Sequence, residues 1–189
     1  MDGLFESQTI VMRPFEAGYR PALQAYLNHP DLAGRRYVPW GYPELAPLSE
    51  DQVEQIIQEW NESKKGFHLA VIQRESSNLI GHIECDWEWD PHCPSISLVI
   101  GPPFQHRGYG GQVLQLQLGY LFDYTPAHTV TAWISDWNQD GLAFFSKHGF
   151  KNAGRMRRTG IHRGKYTDLV VMDILRREWL AGQGGRHGT

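Results

Sequence analysis

One crossover dominates what this chain can become. Residues 95–100 (SISLVI) form a short apolar run stopped by Gly101-Pro102-Pro103. A glycine-bearing loop follows, and from Gly108 a helical pattern places Leu114, Leu118 and Leu121 at i, i+4 and i+7. Pro126 closes that helix, and residues 129–135 (TVTAWIS) read as a strand. A strand, helix and strand of these lengths make a parallel pair joined by a right-handed crossover, with the helix on one face of the sheet. The flanks do not repeat the unit. Residues 67–73 (FHLAVIQ) and 79–87 (LIGHIECDW) are separated by the polar turn RESSN and read as a hairpin leading into residues 95–100. Residues 150–158 and 166–175 supply two last strands. The sequence therefore predicts an α/β fold whose mixed sheet is mostly antiparallel.

The remaining elements complete one domain. Residues 8–15 read as a strand and residues 18–28 as a helix carrying Tyr19, Leu23, Tyr26 and Leu27. Between residues 29 and 47 stand four prolines, interleaved with Tyr37, Trp40 and Tyr42, which predicts a long aromatic loop. Ser49 opens a helix with Val53, Ile56, Ile57 and Trp60 on one face, ended by Lys64-Lys65-Gly66. A shorter helix spans residues 139–148, ahead of Gly149. The count is about seven strands and about four helices in a single domain over residues 1–181. The tail GQGGRHGT, residues 182–189, is expected to be disordered. A chain of 189 residues buries about 70% of its unfolded surface, so neither disulfides nor metals are needed for folding.

Charge and cysteine usage narrow the function classes. Eighteen basic against 21 acidic side chains leave a net charge of -3, so nucleic acid and membrane surfaces are not expected partners. No window approaches the ~18 apolar residues of a membrane span, and residues 1–18 lack the pattern of a secretory leader. Cys85 and Cys93 are too few for a disulfide framework, and a cytoplasmic location is expected.

The loop at residues 105–111 carries the chemistry. A helix N-terminus offers unpaired N–H groups and a positive dipole end, and glycines let a phosphate approach the backbone. Gly110-Gly111 is followed by Gln112-Val113 rather than Lys-Ser/Thr, which excludes the nucleoside-triphosphate loop. Val113 stands where the dinucleotide fingerprint needs its last glycine.

Gln105-x-x-Gly108-x-Gly110 resembles the Q/R-x-x-G-x-G/A acyl-coenzyme A loop of the GNAT superfamily of N-acetyltransferases. Asn138-x-x-Gly-x-x-Phe-Phe-Ser-Lys147-His-Gly149-Phe150 is similar to its helix-to-strand signature, and Gly164-x-Tyr166-x-Asp168 to its closing strand. The resemblance covers about residues 7–180 and is closest to the ribosomal-protein N-terminal alanine acetyltransferase branch. It implies a sheet splayed between strands four and five, acetyl-CoA as cosubstrate, no metal, and an amine acceptor. That acceptor is expected to be a peptide N-terminus. A small-molecule or antibiotic amine, or a silent CoA-binding module, stands as the alternative, and the chain is expected to be a monomer or homodimer.

The resemblance also implies roles for residues. Gln105, His106, Arg107, Gly108, Tyr109, Gly110 and Gly111 would cradle the diphosphate, while Leu98, Val99 and Ile100 pair with the pantetheine arm. Asn138, Phe145 and Lys147 complete the donor site, Asn138 being equally suited to capping a helix. Tyr37, Trp40, Tyr42 and Trp87 are candidates for the acceptor wall. An amine must lose a proton before it attacks, and Glu84, midway along residues 79–87, is the candidate base. His82 and Asp86 share its face by the period of two and are lesser candidates. Where many family members have a tyrosine to protonate the leaving thiolate, this chain has Phe145, which leaves water or Ser146, with Tyr166 a remote alternative more in keeping with a packed strand residue. His82, Cys85, His92 and Cys93 do not match a zinc spacing, because residues three apart on a strand face opposite ways. Cys85 reads as a buried thiol. Arg155, Arg157, Arg158, His162, Arg163 and Lys165 read as a solvated hairpin tip, with contact to an acidic substrate or the adenosine 3'-phosphate as the alternative.

Overall fold

The computed structural model describes residues 3–30, 32, 47–87 and 90–183. Strand β1 (Ile10–Arg13) leads through a 3-10 turn to helix α1 (Arg20–Leu27), and α2 (Glu50–Glu62) follows. Strands β2 (Gly66–Gln73), β3 (Leu79–Asp86) and β4 (Ser95–Ile100) come next, then α3 (Tyr109–Tyr124), β5 (Thr129–Ser135) and α4 (Gln139–Lys147). Strands β6 (Lys151–His162) and β7 (Lys165–Leu175) and helix α5 (Arg176–Gln183) close the chain. Seven strands form one sheet in the order β1-β2-β3-β4-β5-β7-β6, and β4–β5 is its parallel pair.

Local chemistry accounts for the boundaries. Ser49 and Gln52 form a reciprocal capping box on α2, each side chain meeting the other's backbone N–H. On α2, Val53 and Ile57 are buried and Trp60 lies against Phe15 with ring centroids 5.0 Å apart. Leu23, Tyr26 and Leu27 of α1 share that layer with Ala70, Ile72 and Val99 of the sheet. On the opposite face, Leu114, Leu118, Leu121 and Phe122 of α3 are fully buried against β5 and β7 residues.

Two expectations change. β6 runs four residues beyond the predicted strand end, carried through two register irregularities, so His162 joins the strand and the turn narrows to Arg163-Gly164. Arg155 pairs with Asp168 at 3.3 Å, and the Arg158 backbone N–H donates to the Asp168 carboxylate. Helix α5 is a fifth α-helix and reaches Gln183, two residues into the expected tail. Its buried Trp179 packs on Phe122, a long-range contact that a polar eight-residue stretch does not announce. Residues 184–189 lie outside the described residues. No helix among the described residues is long and apolar enough to cross a membrane.

Candidate functional site

Strand β4 meets β5 only at Ser95↔Thr131 and Ile96↔Ala132. From Ser97 onward β4 keeps β3 on one side, and on the other opens a cleft of about 850 Å³. Leu98, Val99 and Ile100 line it together with Gln105, His106, Gly108, Gly110 and Gly111. Gly108 caps α3 with φ +83°, in the left-handed region, and His106 has φ +59°. A Cβ on Gly108 would meet no protein atom within 4 Å, so this glycine is required for its dihedral angle and not for space. Gln105 Nε2 donates to the Ile100 carbonyl at 2.8 Å, which ties the loop to the end of β4.

Two residues of the loop turn away from the cleft. The Tyr109 hydroxyl accepts from Gln73 Nε2 at 2.8 Å, and its ring packs with the cluster of Ile10, Val71 and Val113. The Arg107 guanidinium lies 5.9 Å over the Phe104 ring, outside the cleft lining. Their backbone amides are what the loop retains for an anion. An open-sided slot with a left-handed glycine, two further glycines at a helix start and an extended strand edge suits the diphosphate and pantetheine arm of acetyl-CoA.

Helix α4 forms the facing wall. Asn138 Oδ1 accepts from the Gly141 N–H at 3.1 Å, so it caps the helix, and the residue also lines the cleft, as does Lys147. Phe145 reaches the cleft from the core and packs edge-on against Phe150 with centroids 4.9 Å apart. Ser146, next along α4, is exposed and is not part of the cleft lining, so its hydroxyl is withdrawn as the acid. Tyr166 is 68% exposed under the Arg158 guanidinium, not the packed strand residue expected. Trp87 packs toward Phe67 and also stands outside the lining. Tyr37, Trp40 and Tyr42 lie outside the described residues.

Sequence reasoning passed over Phe144 and His148. Both line the cleft, and they sit where α3 and α4 approach: a Cβ on Gly110 would lie 3.2 Å from Phe144, and one on Gly111 would lie 3.0 Å from His148 Nε2. The paired glycines were the available signal, read only as room for a ligand.

Glu84, Asp86 and Asp140 are the carboxylates that line the cleft among the described residues. Glu84 has a third of its side chain exposed, and its cross-strand neighbours are His68 on β2 and Ser97 on β4. His82 Nε2 stands 3.3 Å from Glu84 Oε1, and His68 Nε2 3.9 Å from Oε2. Burial opposes the Glu84 charge, but the hydrogen bond from His82 and the nearness of the His82 and His68 rings outweigh it and hold the carboxyl below its usual range. His82 is only 2% exposed, which removes it as a base that could touch substrate. Its Nδ1 lies 2.7 Å from the Tyr26 hydroxyl, and burial, then Glu84, pushes that phenol upward. Burial also lowers His68, whose ring stacks on Trp60 at 5.2 Å. Asp86 lines the cleft beyond Glu84. Cys85 faces the opposite core, and burial pushes its thiol up, as it does that of Cys93. An acylated cysteine has no activated thiolate here.

Comparison with known proteins follows the same lines. The family model described as acetyltransferase (GNAT) domain matches residues 9–151. The chain is 23% identical over 173 residues to the uncharacterized N-acetyltransferase YnaD of Bacillus subtilis, covering 92% of this chain and 97% of that protein. A GNAT-family acetyltransferase from Bacillus anthracis superposes with TM-score 0.78 at 21% identity, covering 92% of this chain and 98% of that one. A spermidine N-acetyltransferase from Vibrio cholerae, solved with CoA and spermine, gives TM-score 0.77 at 19% identity over 92% of this chain and 99% of that one. An open slot between β4 and β5, a glycine-started helix at its mouth and a matching family model over residues 9–151 converge: the chain belongs to the GNAT acetyltransferase family.

Proposed function

We propose that this protein moves the acetyl group of acetyl-CoA onto the α-amine of a peptide or protein by direct attack in a ternary complex, in the manner of the ribosomal-protein alanine branch. The backbone amides of residues 107–111 hold the diphosphate at the start of α3. The pantetheine arm runs along Leu98, Val99 and Ile100 as an added strand, with Asn138 across from it. Glu84 takes one proton from the acceptor ammonium, the amine nitrogen attacks the thioester carbon, and as the C–S bond breaks the second proton shed by the nitrogen passes through water to the departing CoA thiolate. Phe145 donates nothing, so water protonates the thiolate.

What supports the acceptor class is the setting of Glu84, a carboxylate in the cleft with His82 Nε2 at 3.3 Å and His68 Nε2 at 3.9 Å. A carboxyl held low by two histidines is charged at neutral pH but is a weak base. An α-amine of pKa about 7.7–8 is already roughly a tenth neutral at pH 7, whereas a lysine near 10.4 is almost wholly charged. A weak base suits the first. A second reading, a polyamine acceptor, draws on Glu84, Asp86 and Asp140 all lining the cleft and on the likeness to the spermidine enzyme. The two free cysteines suit a reducing cytoplasm. Thiol release from acetyl-CoA across N-terminal peptides, spermidine and lysine derivatives tests the reading. Peptide α-amines should lead. Release led by spermidine moves the acceptor class, and donor binding with no release for any amine makes the chain a silent CoA-binding module.

A further inference from the structure

His82 is buried where α1 and α2 pack on β3, yet both its ring nitrogens are engaged. Its ring lies 4.9 Å from Trp60 and 5.8 Å from Tyr26 by centroids, with Phe15 at 6.4 Å. An apolar side chain of similar size would fit such a pocket, so a polar ring there needs a reason. The contacts supply one. A carboxylate only accepts, so the 3.3 Å approach to Glu84 Oε1 calls for a proton on Nε2. A phenol that keeps its proton can donate to Nδ1 across 2.7 Å, and the two contacts together select the Nε2–H form of the ring.

We propose that His82 is a positioning residue for acetyl transfer: Tyr26 fixes its tautomer, and its Nε2–H holds the Glu84 carboxylate charged and aimed into the cleft. Each link donates toward the carboxylate, from Tyr26 to His82 to Glu84. The chain of groups can hold the charge but cannot carry a proton backward unless both links reverse. A proton taken from the amine therefore leaves Glu84 through the exposed third of its side chain. The titratable groups facing the pair, among the described residues, are Tyr26 from α1, His68 from β2 and Asp86 further along β3. From α2 the neighbour is Trp60, and from β4 Val99 and Ser97, none of which titrates.

The inference rests on Glu84 as the base proposed above, and its test separates the two. In the wild-type protein, 15N spectra should show His82 protonated at Nε2 and not at Nδ1. The 13C titration of the Glu84 carboxyl should move upward in H82L and return in H82Q, whose amide can still donate. Y26F should leave the Glu84 titration between these limits and mix the His82 tautomers. With a peptide acceptor, H82L should lower kcat about tenfold, less than the ~100-fold expected for loss of the base itself, with KM for acetyl-CoA unchanged. An Nδ1–H ring in the wild type, or a Glu84 titration identical in H82L and wild type, overturns the proposal even if peptides are acetylated. If no amine is acetylated, the base assignment fails, while the 15N and 13C readouts still decide whether His82 holds the carboxylate.

Discussion

Glu84 keeps its charge against burial because two histidines face it from different distances. A carboxyl lowered in the folded chain stays ionised until the pH drops through its folded value, so its contribution to folding is present above the unfolded pKa of about 4.3 and disappears below it. The same sign governs the rate. Between pH 5 and 7, kcat/KM with a peptide acceptor should rise with a slope of one, set by the amine near pKa 8. A second proton should enter only below the ordinary glutamate range. A slope of two already at pH 6 would contradict a lowered Glu84. Replacing it as E84Q should cut kcat about 100-fold with KM for acetyl-CoA within about twofold, measured by thiol release. Glu84 could be named from its place on a two-residue period, as could the face it shares with His82 and Asp86. Tyr26 could not: it lies 56 residues from His82 along the chain, and their contact exists only once α1 packs on β3.

At the scale of elements, the helix starts are the most exposed to test. S49A removes one half of the α2 capping box and should cost about 1 kcal/mol. In a domain of this size that lowers Tm by roughly 3 °C. Affinity for acetyl-CoA should be untouched, because α2 supplies nothing to the donor loop. G111A should lower Tm as well, since its Cβ would press on a His148 ring anchored at 2.8 Å to the Phe144 carbonyl. Overpacking costs about 1–3 kcal/mol, offset by up to about 1 from replacing glycine in a helix. G110A meets chiefly the edge of a Phe144 ring on the cleft wall, which can turn aside, so its Tm should equal or slightly exceed the wild type. Calorimetry of the pair checks the difference. The bounds of β4 and β5 were legible because Gly-Pro-Pro ends one and Pro126 precedes the other. The extension of β6 was not, because bulges break the two-residue period on which such a reading depends. Nor was α5, whose apolar content reduces to Trp179 meeting Phe122 across 57 positions of chain.

At the scale of the molecule, the sheet is two blocks joined by two residue pairs between β4 and β5, with α3 lying across both. A donor seated in the slot touches each block. At a hundred times its Kd, acetyl-CoA should stabilise the fold by about 2.7 kcal/mol and raise Tm by roughly 8 °C, read by scanning calorimetry. An unmoved Tm at saturating donor would argue against binding in the slot. The loop at residues 105–111 was legible in its glycine spacing, which reports backbone geometry directly, whereas the splayed sheet came only through the family resemblance that this spacing and Asn138 carry. Aromatic residues between prolines fix no geometry by themselves, and Tyr37, Trp40 and Tyr42 lie outside the described residues. A ligand lying between β4 and β5 would bridge edges that otherwise meet at two residue pairs. Limited proteolysis with and without acetyl-CoA should then differ most at the seam beside Ile100, where β4 and β5 share no pairing.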